Sequence, residues 1–268
     1  MSLHPKVLIK GAGEMATGVA WRLHRCHFRL VLTEAPNPLA VRRAVSLCEA
    51  VHEGRWSVEG VEAVLIDQPG QIEETWAQGA IPLLVDPEMA VLSHLRPDVL
   101  VEATLSKKNT GVSKEDAPLV ICLGPGYRAG VDAHYVVETN RGHNLGRLYT
   151  QGRAAANTGI PGNIGGYTHE RVLRAPADGV FQPRLALGDR VRAGDTVAEV
   201  AGQPVRAQID GVLRGLIRPG SRVWTGLKVG DVDPRGESSY LETISEKARA
   251  VAGSVLEAIM MELNRPGT

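Results

Sequence analysis

The sequence predicts an α/β chain with a doubly wound parallel sheet, a small all-β module behind it and a C-terminal helix. Three observations lead there. Apolar strand-like runs alternate with helix-like stretches through the first half, as βαβ units do. The first of these runs stops at a glycine-rich turn that opens a helical pattern. Beyond residue 170 the chain repeats itself at a fixed offset, the mark of a duplicated unit.

The elements follow in order. Lys6–Lys10 is a short apolar run closed by Gly11-Ala12-Gly13, and Met15, Val19, Ala20 and Leu23 then recur at helical spacing. Phe28–Thr33 reads as a second strand, closed by Glu34 and the breakers Pro36 and Pro38. A helix is expected from Leu39 to about His52, with Val41, Val45 and Val51 on one side. Residues 61–66, 81–85, 98–101 and 119–123 read as further strands, with helical stretches at Gln71–Gln78 and Pro87–His94. Six such strands suit a doubly wound sheet. The predicted divisions are a nucleotide-binding domain over 1–150, a Gly-rich crossover over 151–170, a duplicated β module over 171–236 and an amphipathic helix over 238–264.

Composition narrows the class. Thirty Lys and Arg balance thirty Asp and Glu, so nothing in the net charge points to nucleic acid. Hydrophobic residues make up 43% of the chain and aromatics 4%, so the core must be mostly Val, Leu, Ile and Ala. The three cysteines, Cys26, Cys48 and Cys122, share no short spacing, which argues against a disulfide framework or a structural zinc site. No apolar run approaches the roughly 18 residues that cross a bilayer, and no signal-peptide pattern opens the chain. The expectation is a cytoplasmic protein without a metal or a membrane partner.

The sharpest local signal is Gly11-Ala-Gly13-Glu-Met-Ala16, which fits G-x-G-x-x-G/A between a strand and a helix, as in Rossmann-like dinucleotide sites. Gly11 suits a positive φ, Gly13 lets backbone approach a pyrophosphate at the helix N-terminus, and Ala16 permits close helix–strand packing. Glu34, ending the second strand, is placed to bond a ribose 2′-hydroxyl and to repel a 2′-phosphate, favouring NAD-like over NADP-like ligands. The alternative is a turn that only joins strand to helix, with Glu34 a solvated strand end.

In open parallel sheets ligands sit beyond the carboxyl ends of the strands. That rule gathers Lys107, Lys108 and Asn109 after the fifth strand, and Gly124, Gly126 and Arg128 after the sixth, as donors around an anion. The competing reading is a solvated polar loop. His134, Glu138 and His143 are the candidates for acid–base work, or else ordinary strand and turn residues. Cys122, inside an apolar strand, reads as core rather than nucleophile.

Ala175-Pro-Ala-Asp178-Gly-Val180 recurs as Ala207-Gln-Ile-Asp210-Gly-Val212, an offset of 32 residues. The same offset pairs Gly188 with Gly220, Arg190-Val191 with Arg222-Val223, and Gly194 with Gly226. Two such halves predict a pseudo-symmetric β module. It resembles the biotinyl/lipoyl-type barrel-sandwich hybrid. In that family a lysine stands in the hairpin joining the halves. Here that joint is Ala201-Gly-Gln203-Pro204-Val-Arg206, so covalent biotin or lipoate is not expected and a docking or dimerising role is. The tail keeps apolar residues at 3–4 spacing from Leu241 to Leu263 after a capping-box pattern at Ser239-Tyr-Leu-Glu242. With the β module it offers a second burial surface, and a homodimer is expected.

Lys10-Gly-Ala-Gly-Glu-Met-Ala-Thr-Gly18, Thr33-Glu34 with Pro38-Leu-Ala-Val-Arg-Arg43, Leu123-Gly-Pro-Gly126, Val137-Glu-Thr-Asn-Arg-Gly-His143 and Asn157-Thr-Gly-Ile-Pro-Gly162 together resemble the YqeB family. That resemblance implies an accessory protein of the selenium-dependent molybdenum hydroxylase system and supplies no catalytic residues. Three functions follow as expectations. One is a maturation factor binding a nucleotide, NAD-like or molybdopterin-type, through a phosphate group, with a hydroxylase as partner. The second is an NAD-dependent oxidoreductase with His134 or His143 as proton donor. The third is a non-catalytic scaffold that docks a hydroxylase.

Overall fold

The computed structural model describes residues 5–265. The chain forms two compact units. One comprises Met1–Pro38, Ser46–Asn157 and Ile244–Thr268, and the other Leu39–Val45 with Thr158–Thr243.

The first unit is mixed α/β. Its strands are β1 (Lys6–Lys10), β2 (Arg29–Glu34), β3 (Arg55–Val58), β4 (Val61–Leu65), β5 (Ile81–Val85), β6 (Val99–Glu102), β7 (Leu119–Leu123), β8 (Tyr135–Val137) and β9 (Leu148–Tyr149), in the order β3-β4-β5-β2-β1-β6-β7-β8-β9. From β4 across to β8 every pairing is parallel; β3 and β9 close the edges antiparallel. Val7–Ile9, Leu30–Leu32, Val99–Val101 and Leu119–Leu123 are buried, the continuous apolar runs that a parallel sheet covered on both faces requires. After β1 the chain lays β2 beside it and β4 farther out, sets β5 between those two, then returns to lay β6 on the other side of β1. The crevice beyond the carboxyl ends of β1 and β6 is where such sheets place ligands.

Helix α1 (Glu14–Arg25) follows β1, and the short helices α2 (Ala50–Glu53), α3 (Ile72–Ala77) and α4 (Leu92–Leu95) lie between later strands. The helix expected over 39–52 does not form. Val41 and Val45 have helical spacing, but the segment belongs to the second unit, where the Val41 side chain packs on the core and its carbonyl accepts from the Leu216 N–H at 2.8 Å. Tertiary burial wins over a weak local preference. Residues 46–48 instead cross the start of α1: Leu47 N–H donates to Thr17 Oγ1 at 2.9 Å and Cys48 N–H to the Ala12 carbonyl at 2.9 Å. Strand β3 goes unseen in the sequence. It pairs with β4 through Glu59-Gly60, both at positive φ, a two-residue hairpin turn.

Helix α5 (Glu246–Leu263) starts at Ser245, whose hydroxyl accepts from the Ala248 N–H. Residues 238–241, expected as its first turn, form a separate 3₁₀ turn. The stripe Ala248, Val251, Ala252, Val255, Ala258 and Ile259 is buried against α1, β7 and β8. Gly18 of α1 lies so near that a Cβ there would sit 2.9 Å from the Cβ of Ala248. Arg249 then ties the helix to the hairpin turn through Glu59 at 2.7 Å.

The second unit holds two four-stranded antiparallel sheets. One is ordered β10-β17-β15-β12 and the other β14-β13-β11-β16. The strands are β10 (Val172–Arg174), β11 (Gly179–Pro183), β12 (Arg190–Val191), β13 (Thr196–Val200), β14 (Gln203–Arg206), β15 (Gly211–Leu216), β16 (Arg222–Val223) and β17 (Lys228–Asp233). The 32-residue offset maps one sheet onto the other, and each repeat completes its partner. Asp178 accepts from the Thr225 N–H at 2.8 Å and Asp210 from the Ala193 N–H at 2.8 Å. Gly188 N–H donates to the Leu213 carbonyl and Gly220 N–H to that of Phe181, both at 2.9 Å. Phe181, Val197, Val200, Leu213, Val229 and Val232 share the core between the sheets.

Beside that core lies a buried ion network. Asp231 meets Arg171, Arg214 at 2.7 Å and Lys228 at 3.6 Å, while Asp233 meets Arg214 at 3.0 Å and Arg235 at 2.7 Å. Burial pushes the Asp231 carboxyl up, but Lys228, Arg214 and Arg171 more than reverse that and hold it below the usual carboxylate range. A lowered value contributes stability that is present above the unfolded pKa and lost as pH falls through the folded one. Asp231→Asn removes the carboxylate that Arg171 and Arg214 share in the interior, leaving Arg214 only Asp233, and is expected to cost on the order of 3–5 kcal/mol in denaturant melts at neutral pH. The deficit should shrink on acidification, as the wild-type carboxyl is itself protonated.

Candidate functional site

The turn after β1 is built from three demands. Gly11 takes φ +96°, and a Cβ there would press the Thr104 methyl at 3.3 Å, so both conformation and space call for glycine. Its N–H donates to the Thr33 carbonyl at 2.7 Å. Ala12 N–H donates to Glu34 Oε2 at 2.8 Å, and Ala35 N–H to Oε1 at 2.7 Å. Glu34 thus braces the turn across β1 and β2. Each of its oxygens keeps acceptor capacity for one more donor, the arrangement a ribose hydroxyl needs.

Gly13 is the N-cap of α1. Its φ −70° and ψ −175° are ordinary extended values, no side chain caps the helix, and nothing lies within 4 Å of where a Cβ would stand. Neither backbone strain nor packing requires glycine here, and a Cβ would stand in open space. A 12-residue helix presents partial positive charge at that end. Ala16 is buried on the sheet side of α1.

Next to this turn the end of β6 buries a carboxyl. Glu102 has no exposure; Oε1 accepts from Thr104 Oγ1 and from the Thr104 N–H at 3.2 Å, whereas Oε2 is buried without a hydrogen-bond partner among the described residues. Burial pushes its pKa up, opposed by the Thr104 hydrogen bonds and the charge of Lys10. Lys10, itself buried, donates to the Thr110 carbonyl at 3.2 Å, and Thr110 Oγ1 meets the buried Tyr127 hydroxyl at 2.9 Å. Thr33 Oγ1, at the end of β2, is also buried without a partner among the described residues. Lys10, Thr33, Glu102, Thr104 and Tyr127 are functional candidates that sequence reasoning did not single out. The one readable signal was a charged residue closing each of two apolar strands.

The other predicted residues are distributed as follows. Gly124 takes φ +89°, with a Cβ position 3.0 Å from Thr139 Oγ1, and Gly126 lies where a Cβ would fall 2.5 Å from the Ser106 carbonyl. The loops after β6 and β7 therefore touch. Lys107 and Lys108 are exposed on the first of them. Asn109 braces that loop, accepting from the Gly111 and Val112 N–H groups at 2.8 and 2.9 Å and reaching Asp132 at 3.4 Å. The exposed Arg128 is held there through its N–H, which donates to Asp132 at 2.7 Å.

His134, Glu138 and His143 are not gathered into one constellation. His134 Nδ1 accepts the Val120 N–H at 3.0 Å at the amino end of β8. Glu138 stands past the other end, about 13 Å along an extended strand. It accepts from the Asn140 and Ala155 N–H groups, both at 2.7 Å, and so pins the following loop. His143 is exposed in the turn before β9. Cys122 is buried in β7, where burial, then Glu102, Asp132 and Asp116, push its thiol pKa up, away from a nucleophile. Among the described residues no three His, Cys, Asp or Glu side chains gather to hold a metal, and no helix is long and apolar enough to cross a membrane.

No family model matches the chain. It is 44% identical over 262 residues to the "Uncharacterized protein YqeB" of Escherichia coli strain K12, a match spanning 98% of this chain and 48% of that protein. The chain spans about half the length of the curated relative it matches. Among solved structures it is similar to an aspartoacylase family protein from Mesorhizobium loti, at 12% identity and TM-score 0.26. It is also similar to a succinylglutamate desuccinylase/aspartoacylase from Rhodobacter sphaeroides, at 15% identity and TM-score 0.26. Each of these matches covers 85% of both chains. At that level of structural agreement they carry no argument about this chain.

The buried carboxyl gives a direct test. A carboxyl whose folded pKa is raised favours the fold at low pH, and that contribution is lost as pH rises through the folded value. Glu102→Gln keeps the Thr104 hydrogen bonds and removes the charge. Its melting temperature is expected to fall less than wild type's between about pH 5 and pH 8. An equal fall in both proteins would show that Glu102 does not titrate in that window.

Proposed function

Taking the likeness to YqeB as premise, we propose that this chain is an accessory protein for the maturation of molybdenum hydroxylases, selenium-dependent ones in particular. Its Rossmann-like unit binds a nucleotide or another phosphate-bearing ligand, NAD-like or molybdopterin-type, on the amides at the start of α1. The observation that carries this reading is the open space at Gly13: a glycine that neither strain nor packing explains, at a helix N-terminus left without a side-chain cap. An anion there meets peptide N–H groups and the positive end of the helix. Glu34, already fixed by two N–H groups, is poised for a 2′-hydroxyl and disfavours a 2′-phosphate. Lys107 and Lys108 supply positive charge for a ligand's outer phosphate, and Gly124 and Gly126 let the loops after β6 and β7 pack together.

In this reading the duplicated module is a barrel-sandwich-like docking piece for the hydroxylase. Its β13–β14 hairpin turns through Ala201-Gly202, both at positive φ, and carries no lysine for biotin or lipoate. The position of His134 at the amino end of β8 gives the oxidoreductase alternative no support.

Calorimetric titration with NAD, NADP, CTP and molybdopterin compounds tests the proposal. Gly13→Ala is expected to fold as wild type does and to bind more weakly. Gly13→Glu, which puts a carboxylate in the anion's place, is expected to weaken binding at least tenfold. Glu34→Ala should narrow the preference for NAD over NADP. No heat with any of these ligands, or binding indifferent to Gly13→Glu, overturns the proposal. Hydroxylase capture that persists in Gly13→Glu without ligand binding would favour a pure scaffold.

A further inference from the structure

The second unit contains a cavity of about 450 Å³ at the edge strands β10 and β14, and it is basic. Arg174 and Arg206 line it, with His169 and Gln208 beside them and the buried side chains of Val172 and Val205 as apolar wall. The arginines are symmetry mates within the chain: the 32-residue offset that relates the repeats carries Arg174 onto Arg206. Their anchoring is symmetric as well. Arg174 donates to the Gly226 carbonyl at 2.9 Å and Arg206 to the Gly194 carbonyl at 2.9 Å, and Gly194 and Gly226 are themselves equivalent. Each guanidinium has five N–H donors and spends one on this anchor. No Asp or Glu is among the residues lining the cavity. The repeat thus brings two arginines to the lining of one cavity, and paired guanidiniums suit a group with several oxygens and a double negative charge. The volume suits a small molecule.

We infer that this cavity binds the phosphoryl group of a small phosphate ester, its oxygens shared between Arg174 and Arg206, with His169 and Gln208 completing the contacts. The inference is independent of the α1 site and stands whether or not that site binds a nucleotide. Methyl NMR of the full chain tests it, following Val172 and Val205 during titration with inorganic phosphate, AMP and succinate. Phosphate and AMP are expected to shift both valines at millimolar concentrations, with AMP the tighter if the ester moiety uses the apolar wall; a matching response to phosphate alone assigns the site to the free ion. Succinate should shift them less. Arg174→Gln or Arg206→Gln is expected to weaken binding at least tenfold. Because each arginine also anchors a turn, the Arg174→Lys/Arg206→Lys pair serves as a second variant that keeps charge and loses the forks; it should weaken binding too, as should His169→Ala. Gly13→Glu should leave the valine shifts unchanged. The inference fails if phosphate and AMP move neither valine, if the shifts survive the lysine pair and both glutamine variants, or if succinate binds as tightly as phosphate.

Discussion

The hydrogen bond from the Ala12 N–H to the Glu34 carboxylate fixes how the first helix leaves the sheet, and the first unit's chemistry depends on it. A glycine-rich turn has many conformations available, and an unbraced one would lose its geometry to chain entropy. Here Thr33 holds Gly11 from below, Glu34 holds Ala12 from the side, and Cys48 donates to the Ala12 carbonyl from above. These bonds hold the turn in one geometry before anything meets it. At Gly13, by contrast, nothing lies within 4 Å of where a Cβ would stand.

The second unit obeys a different constraint. The two repeats share one core, to which each contributes its buried apolar residues. The reciprocal bonds of Asp178 and Asp210 make the exchange mutual, each closing a turn in the opposite copy. That mutuality explains why the offset runs without a gap: an inserted residue in one copy would misplace a turn in both. The same symmetry brings equivalent residues of the edge strands to one place, and Arg174 and Arg206 both line its cavity.

Much of this was legible in the sequence. The alternation of strands and helices placed the parallel core, because fully buried strands must be apolar throughout. The 32-residue repeat showed the second module's symmetry before any coordinate. What stayed hidden depended on distant partners. Val41 has the spacing of a helix, yet it is spoken for by Leu216, far along the chain. Glu102 reads as an ordinary strand end, and only Thr104, Lys10 and Tyr127 folded around it reveal a buried carboxyl with one oxygen unpartnered. His134 and Glu138 look like neighbours by alternation, but the strand between them separates them and each has been recruited to backbone amides.

The division of the chain into units that interleave has a consequence for biosynthesis. Leu39–Val45 belongs to the second unit, while α5 near the C-terminus belongs to the first. During translation the earliest helix therefore emerges with its packing partner, Ala248 opposite Gly18, still unmade. The amino-terminal sheet must wait, partly uncovered, until residues 246–263 have left the ribosome, which exposes its apolar faces to chaperones or to self-association for that interval.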